Sequence, residues 1–252
     1  MEYSVFSPLE QFAIFYVIPI SIGTWNISIT NSALFLFTAL ALGSLWFSFA
    51  TQKGGQLIGN AWQTIVEMIY EFVFQLLFNQ IARKGLIYFP LIFTLFTFLI
   101  LCNLLGMIPY SFTVTSHLIV TLSLSFSLFI GVTIVGFQNH GLHFFSFLLP
   151  PGAPLALAPL LVTLELISYC FRALSLGIRL FANMMAGHTL VKILSGFAWS
   201  MLSMGGFFLI AQLAPLGIVV AITGLELGVA LLQAYVFTIL ICIYLNDSIN
   251  LH

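Results

Sequence analysis

Of 252 residues, 61% are hydrophobic and only 5% are charged, six Lys+Arg against seven Asp+Glu. A soluble domain carries about 25% charged residues to face water, and a mean hydropathy of +1.16 with 27 Phe supplies no such surface. Soluble enzymes, secreted modules and disordered chains are excluded, and a net charge of -1 leaves no basic footprint for nucleic acid. The chain reads as an all-α polytopic membrane protein.

The first 32 residues hold Glu2 and Glu10 but no Lys or Arg, which first appear at Lys53. A secretory or transit leader is therefore not expected, and direct insertion into the chain's own membrane is. A spanning helix needs about 20 apolar residues. The first expected span is 33–50, ending at the polar stretch 51–55. The next segment, 62–81, differs in kind. Its Gln63, Glu67, Glu71, Gln75 and Asn79 recur every four residues on an otherwise apolar helix, the pattern of an amphipathic helix lying in the membrane interface. A hairpin of spans is expected at 88–105 and 117–137, joined by the short turn 106–110. Residues 138–154, with two His and three Pro, read as a loop.

No Pro falls between Leu160 and Pro215 or after Pro215. Two long helices are expected at 160–192 and 216–245, with a less regular Gly- and Met-rich connection. At about 1.5 Å per residue they measure roughly 50 and 45 Å, so within a hydrocarbon core about 30 Å thick they should tilt steeply. Lys53, Arg83 and Lys84 flank the interfacial helix and assign it to the cytoplasm-like or matrix side. Five crossings then leave the N-terminus outside and the C-terminus inside, in one integral membrane domain over 1–252. No internal repeat of the inverted-transporter kind is visible.

Ionisable residues inside a span cost about 2.5–3.5 kcal/mol each on insertion scales, so each needs a partner, water or a role. On the first long helix, Glu165, Ser168, Arg172, Ser175, Arg179, Ala182, Asn183 and Ala186 follow steps of three and four, forming one polar, small-residue face. Leu164, Ile167, Phe171, Leu174, Ile178 and Phe181 form an apolar one. The second long helix carries Glu226 and Gln233 nearly on one face, with Gly224 and Gly228 around the Glu as a pair suited to close helix approach. Folding the two helices antiparallel with His188 opposite Glu226 sets Arg179 level with about Tyr235, near Gln233. Titratable groups then flank one permanent cation from both sides, as a proton path interrupted at its middle. Arg suits the interruption because it keeps its proton near neutral pH. Arg172 stays open between a role in the path and an ion pair with Glu165 or another subunit. Cys102, Cys170 and Cys242 read as small hydrophobes in a helical interior. His140 and His143 lack a third ligand, and His117 reads as a membrane-interface residue. No metal or cofactor is expected.

These residues carry a specific resemblance. Ser175-Leu-Gly-Ile-Arg-Leu-Phe-Ala-Asn-Met-Met-Ala-Gly-His188, then Gly224-Leu-Glu-Leu-Gly and Leu232-Gln-Ala-Tyr235, are similar to subunit a of the F-type ATP synthase in its mitochondrial, plant-type form. Ser7-Pro-Leu-Glu-Gln-Phe12, Asn103-Leu-Leu-Gly-Met-Ile-Pro109 and Ile243-Tyr-Leu-Asn-Asp247 extend the likeness over nearly the whole chain. The resemblance implies a non-catalytic, proton-translocating stator in the mitochondrial inner membrane, with its N-terminus in the intermembrane space and its C-terminus in the matrix. Expected partners are a c-subunit ring, the peripheral stalk and other Fo subunits, membrane lipids and, indirectly, F1. It implies that Arg179 is the essential arginine facing the ring. His188 and Glu226 would line the half-channel from the intermembrane space, positions that hold Glu and His in bacterial members. Glu165, with Ser168 beside it, would belong to the matrix half-channel, and Asn183 and Gln233 would be polar positions near the arginine. The alternative from another class is a self-contained proton or ion channel or antiporter subunit of a redox complex.

Overall fold

Local signals start or stop several of the helices. The structure, a computed structural model, describes residues 7–22, 25–26, 28–52, 54, 59–108, 111–141, 158–204 and 211–250. Six α-helices lie among them: α1 Asn31–Thr51, α2 Ala61–Ile81, α3 Phe89–Gly106, α4 Leu118–His140, α5 Ala158–Met204 and α6 Leu213–Ile249. Thr30 caps α1 by accepting from the Ala33 amide at 3.4 Å. Pro90 stands in the first turn of α3, where its missing N–H costs nothing. Gly141, with φ of 56°, closes α4. Before α1 the chain forms a short 3-10 turn, Pro8–Phe12, and two small antiparallel ladders. These are β1 Tyr16–Ile18 with β4 Ile29–Thr30, and β2 Ser21–Ile22 with β3 Trp25–Asn26.

The protein is an all-α membrane protein. Five helical runs among the described residues are long and apolar enough to cross a bilayer, the run Ala61–Gly106 counting α2 and α3 together. Between them Ala82 breaks the helix at φ 56° and ψ -152° and starts a 3-10 segment, Ala82–Tyr88. The polar stripe of α2 faces outward: Glu67, Glu71, Gln75 and Asn79 are exposed. It is laced by Gln63 Nε2 donating to Glu67 at 2.7 Å and Gln75 Nε2 donating to Glu71 at 3.2 Å. The opposite side, Val73, Leu76, Leu77 and Ile81, enters the core.

The C-terminal half of α6 is the centre of the bundle. Its buried residues Ala230, Ala234, Phe237, Ile241 and Leu245 recur at three and four. They join the α2 face, Ile92, Leu95, Phe96 and Leu99 of α3, and Leu176 and Leu180 of α5 in one cluster. Because lipid tails are as apolar as these side chains, packing and interhelical hydrogen bonds hold such a bundle. Asn103, 1% exposed, donates from Nδ2 to the Ala230 carbonyl of α6 at 3.0 Å, and buried Ser125 of α4 donates to the Ala173 carbonyl of α5 at 2.5 Å. At one end, Lys84 Nζ donates to Asn250 at 3.2 Å, and His140 Nε2 meets the Ile249 carbonyl at 3.1 Å.

Several sequence expectations change. Helix α5 continues to Met204 rather than giving way near 192, since 193–204 contains no Pro and a single Gly. Its 47 residues span about 70 Å at 1.5 Å per residue. Residues 138–140 finish α4 instead of opening a loop. Gly224 and Gly228 meet no neighbour within 4 Å of an added Cβ, so they mediate no helix approach among the described residues. Cys102 and Cys242 are buried, but Cys170 is exposed on an open side of α5. Glu2, Lys53, His143, the loop beyond 141 and residues 205–210 of the connection lie outside the described residues.

Candidate functional site

Helix α5 has three sides rather than two. Its covered seam is Ala173, Leu176, Gly177, Leu180 and Met184, packed on α4 and α6. The polar face and the apolar face expected from the sequence flank that seam, and both are largely open: Ser168, Ser175, Arg179, Ala182 and Ala186 are exposed, as are Leu164, Ile167, Phe171 and Ile178. Arg179 thus projects from a small-residue surface, and among the described residues it makes no ion pair or side-chain hydrogen bond.

Toward the C-terminal side of Arg179, α5 meets α6 at His188 and Glu226. His188 Nε2 and Glu226 Oε1 stand 3.4 Å apart, with side-chain exposures of 18% and 5%. Neither atom has a hydrogen-bond partner among the described residues. The carboxyl reaches this position because residue 187 is Gly: a Cβ there would lie 2.6 Å from Glu226 Oε1. Both side chains line a cavity of about 910 Å³ that also receives Gln11, Asn31, Ser111 and Lys192. The pair can pass a proton between a carboxylate and an imidazole, and it lines a space large enough for water.

Toward the N-terminal side, Arg172 holds two carboxylates. Its guanidinium lies 3.5 Å from Glu165 and 3.8 Å from Asp247 of α6, and 5.9 Å above the Tyr244 ring. All three charged side chains are about a third exposed, so each pair is worth at most about 1 kcal/mol after screening. Nearby, the Tyr169 and Thr133 hydroxyls bond at 2.9 Å and tie α5 to α4. The bland pairing of Arg172 with Glu165 is therefore present, and α6 extends it.

The structure brings His188 to Glu226 and Arg172 to Glu165. No hydrogen bond joins Gln233 to Arg179 among the described residues: Gln233 is buried on α6 while Arg179 is exposed. Asn183 is half-buried at the edge of the open face, and Ser168 is exposed on it. Asp247, Gly187, Lys192, Gln11 and Asn31 were not singled out for the site by the sequence. Asp247 had a signal, because the antiparallel register pairing His188 with Glu226 sets Arg172 within about one and a half turns of it. Gln11 had none, since nothing in the sequence near it reports a contact with α5.

Comparison with known proteins shows the family of the chain. The family model described as ATP synthase A chain matches residues 32–246. The chain is 70% identical over 249 residues to ATP synthase subunit a of Marchantia polymorpha, covering 98% of this chain and 99% of that one. It is 67% identical to ATP synthase subunit a of Oenothera berteroana, covering 98% and 90%, and 66% identical to that of Brassica napus, covering 98% and 97%.

Proposed function

The chain belongs to the ATP synthase A chain family, as a multi-pass, proton-translocating subunit a of the Fo sector, and from that premise we propose that it is a stator with two offset half-channels separated by Arg179. The observation that carries the reading is the placement of Arg179. It is exposed at the middle of an apolar helix, unpaired among the described residues, with His188–Glu226 about 13 Å along the axis on one side and Glu165 about 21 Å on the other. An unpaired cation at that depth is costly. A facing carboxylate on a c-subunit ring would compensate it, and the small residues around Arg179 would let the ring approach.

A proton arrives at the cavity, occupies the His188–Glu226 pair, and passes to a ring carboxylate. Once neutral, that carboxylate can move into lipid without the charge penalty of about 2.5–3.5 kcal/mol. After nearly a full turn it meets Arg179, which favours its anionic form, and the proton leaves toward Glu165, Arg172 and Asp247. Arg179 cannot carry the proton itself, so it blocks a direct run between the two half-channels. Each charge crossing contributes about 2.3 kcal/mol per 100 mV.

In this reading Arg172 positions the outlet carboxylates, and Ser168, Asn183 and Gln233 support the two paths. The membrane is the mitochondrial inner membrane. Gln11, Asn31 and the cavity face the intermembrane space, while Lys84, His140 and the C-terminus face the matrix. Helix α2 lies along that interface, and α5 and α6 tilt steeply around the ring. The peripheral stalk, other Fo subunits and lipids cover the remaining open faces, with F1 reached indirectly. The test is Arg179→Ala in the assembled complex. ATP-driven proton pumping should be lost with assembly retained, and normal pumping in that variant would end the proposal.

A further inference from the structure

Three buried polar atoms without a hydrogen-bond partner among the described residues, Gln11 Nε2, His188 Nε2 and Glu226 Oε1, belong to residues that line the same cavity of about 910 Å³. Two of them belong to the His188–Glu226 pair. The third comes from the far N-terminal end of the chain, on the 3-10 turn Pro8–Phe12, which packs against α5. A buried amide with no protein partner is costly unless water satisfies it, and a cavity of this size with several polar groups can hold water.

The N-terminal segment is held over the cavity by a second lining residue. Asn31, the first residue of α1, donates from Nδ2 to the Ala13 carbonyl at 3.1 Å and accepts from the Phe15 amide at 3.2 Å through Oδ1. Its own amide donates to the Phe15 carbonyl at 3.1 Å. These bonds anchor the stretch immediately after Gln11, so that the amide is positioned rather than free to swing into bulk solvent. Among the described residues the charged or titratable side chains lining the cavity are His188, Lys192 and Glu226.

We infer that Gln11 is a positioning residue of the proton inlet: its side-chain amide orders the water that delivers protons to His188 and Glu226, and Asn31 fixes it there. The inference rests on the cavity being the inlet. A neutral amide suits this place because it can both donate to and accept from water without trapping a charge. Lys192, one helical turn beyond His188, lines the same space.

The test is passive proton conductance through assembled Fo in membrane vesicles stripped of F1, normalised to Fo content, for Gln11→Leu, Gln11→Glu and Glu226→Gln. Gln11→Leu should lower conductance roughly three- to tenfold, the loss expected from one hydrogen bond along the path, and should raise the H2O/D2O flux ratio. Gln11→Glu, which keeps shape and polarity, should recover most of the flux and acquire a pH dependence of its own. Conductance unchanged in Gln11→Leu while Glu226→Gln is blocked would overturn the role of Gln11 alone. Equal losses in Gln11→Leu and Gln11→Glu with an unchanged isotope ratio would reduce it to a packing residue and also overturn it. Normal conductance in Glu226→Gln would overturn the reading of the cavity as the inlet.

Discussion

The Glu226 carboxyl rests on the backbone of α5 at Gly187, in the space a side chain at 187 would need: an added Cβ would meet Oε1 at 2.6 Å and Cδ at 2.8 Å. The contact sets how far Glu226 reaches across the helix interface. It thereby sets the 3.4 Å distance to His188 Nε2, one residue further along α5.

Gly187→Ala should therefore leave helix propensity improved but push the carboxyl away from the imidazole. The fold has slack on the cavity side, so the complex should assemble while proton conductance drops by about tenfold, the loss expected from roughly 1.4 kcal/mol of misplacement. Conductance of F1-stripped vesicles measures this, and wild-type flux in Gly187→Ala would show that the seat of Glu226 is unimportant.

Exchanging the pair tests whether it works as a unit. His188→Glu combined with Glu226→His keeps one carboxyl and one imidazole at the interface, whereas each single change leaves two like groups. The double variant should retain more flux than either single one, and a double variant no better than the singles would argue against their coupling.

His117, just before α4, stacks on Phe112 with ring centroids 5.0 Å apart, and its Nε2 is buried without a partner. Burial pushes its pKa below the ordinary 6.5. The unfolded chain then binds the proton more readily, so the stability this ring contributes is complete above pH 6.5 and is lost as pH falls through the depressed value. His117→Phe should keep the stack and flatten that loss. Melting of the assembled complex in detergent at pH 8 and pH 5 should show a smaller drop for the variant than for the parent, and equal drops would exclude the ring as the cause.

Ala82 occupies φ 56° and ψ -152° at the break between α2 and the 3-10 segment, a region that only Gly enters without strain. Its side chain is exposed, so removing the methyl costs little packing. Ala82→Gly should stabilise the protein by about 1 kcal/mol and Ala82→Val should destabilise it. Thermal melting of the two variants checks the order, and the reverse order would refute the strain.

How far the site was legible from the sequence depends on the range of each signal. Arg179 with its neighbours at steps of three and four follows from helical periodicity, whereas the pairing of His188 with Glu226 was the assumption that set the register and was otherwise implied only by the family resemblance. The seat at Gly187 required knowing which side chains meet across the α5–α6 interface to within an ångström. Gly224 and Gly228 show the risk: their spacing suggested a contact, but an added Cβ at either meets nothing within 4 Å.

By itself the sequence determined that this chain lives in a bilayer, where its long apolar runs fall, and which few polar groups they contain, because those properties depend only on local composition and a period of 3.6. Tertiary structure alone decided which side of α5 is covered. In water the apolar face would be the buried one. In lipid an apolar side chain is equally at home against a neighbour or against acyl chains, so hydrophobicity does not distinguish Leu176 and Leu180 in the seam from Phe171 and Ile178 outside it. The same folding carried Gln11, which no periodicity connects to α5, to the cavity, and it closed the remaining gap of about a turn and a half between Asp247 and Arg172.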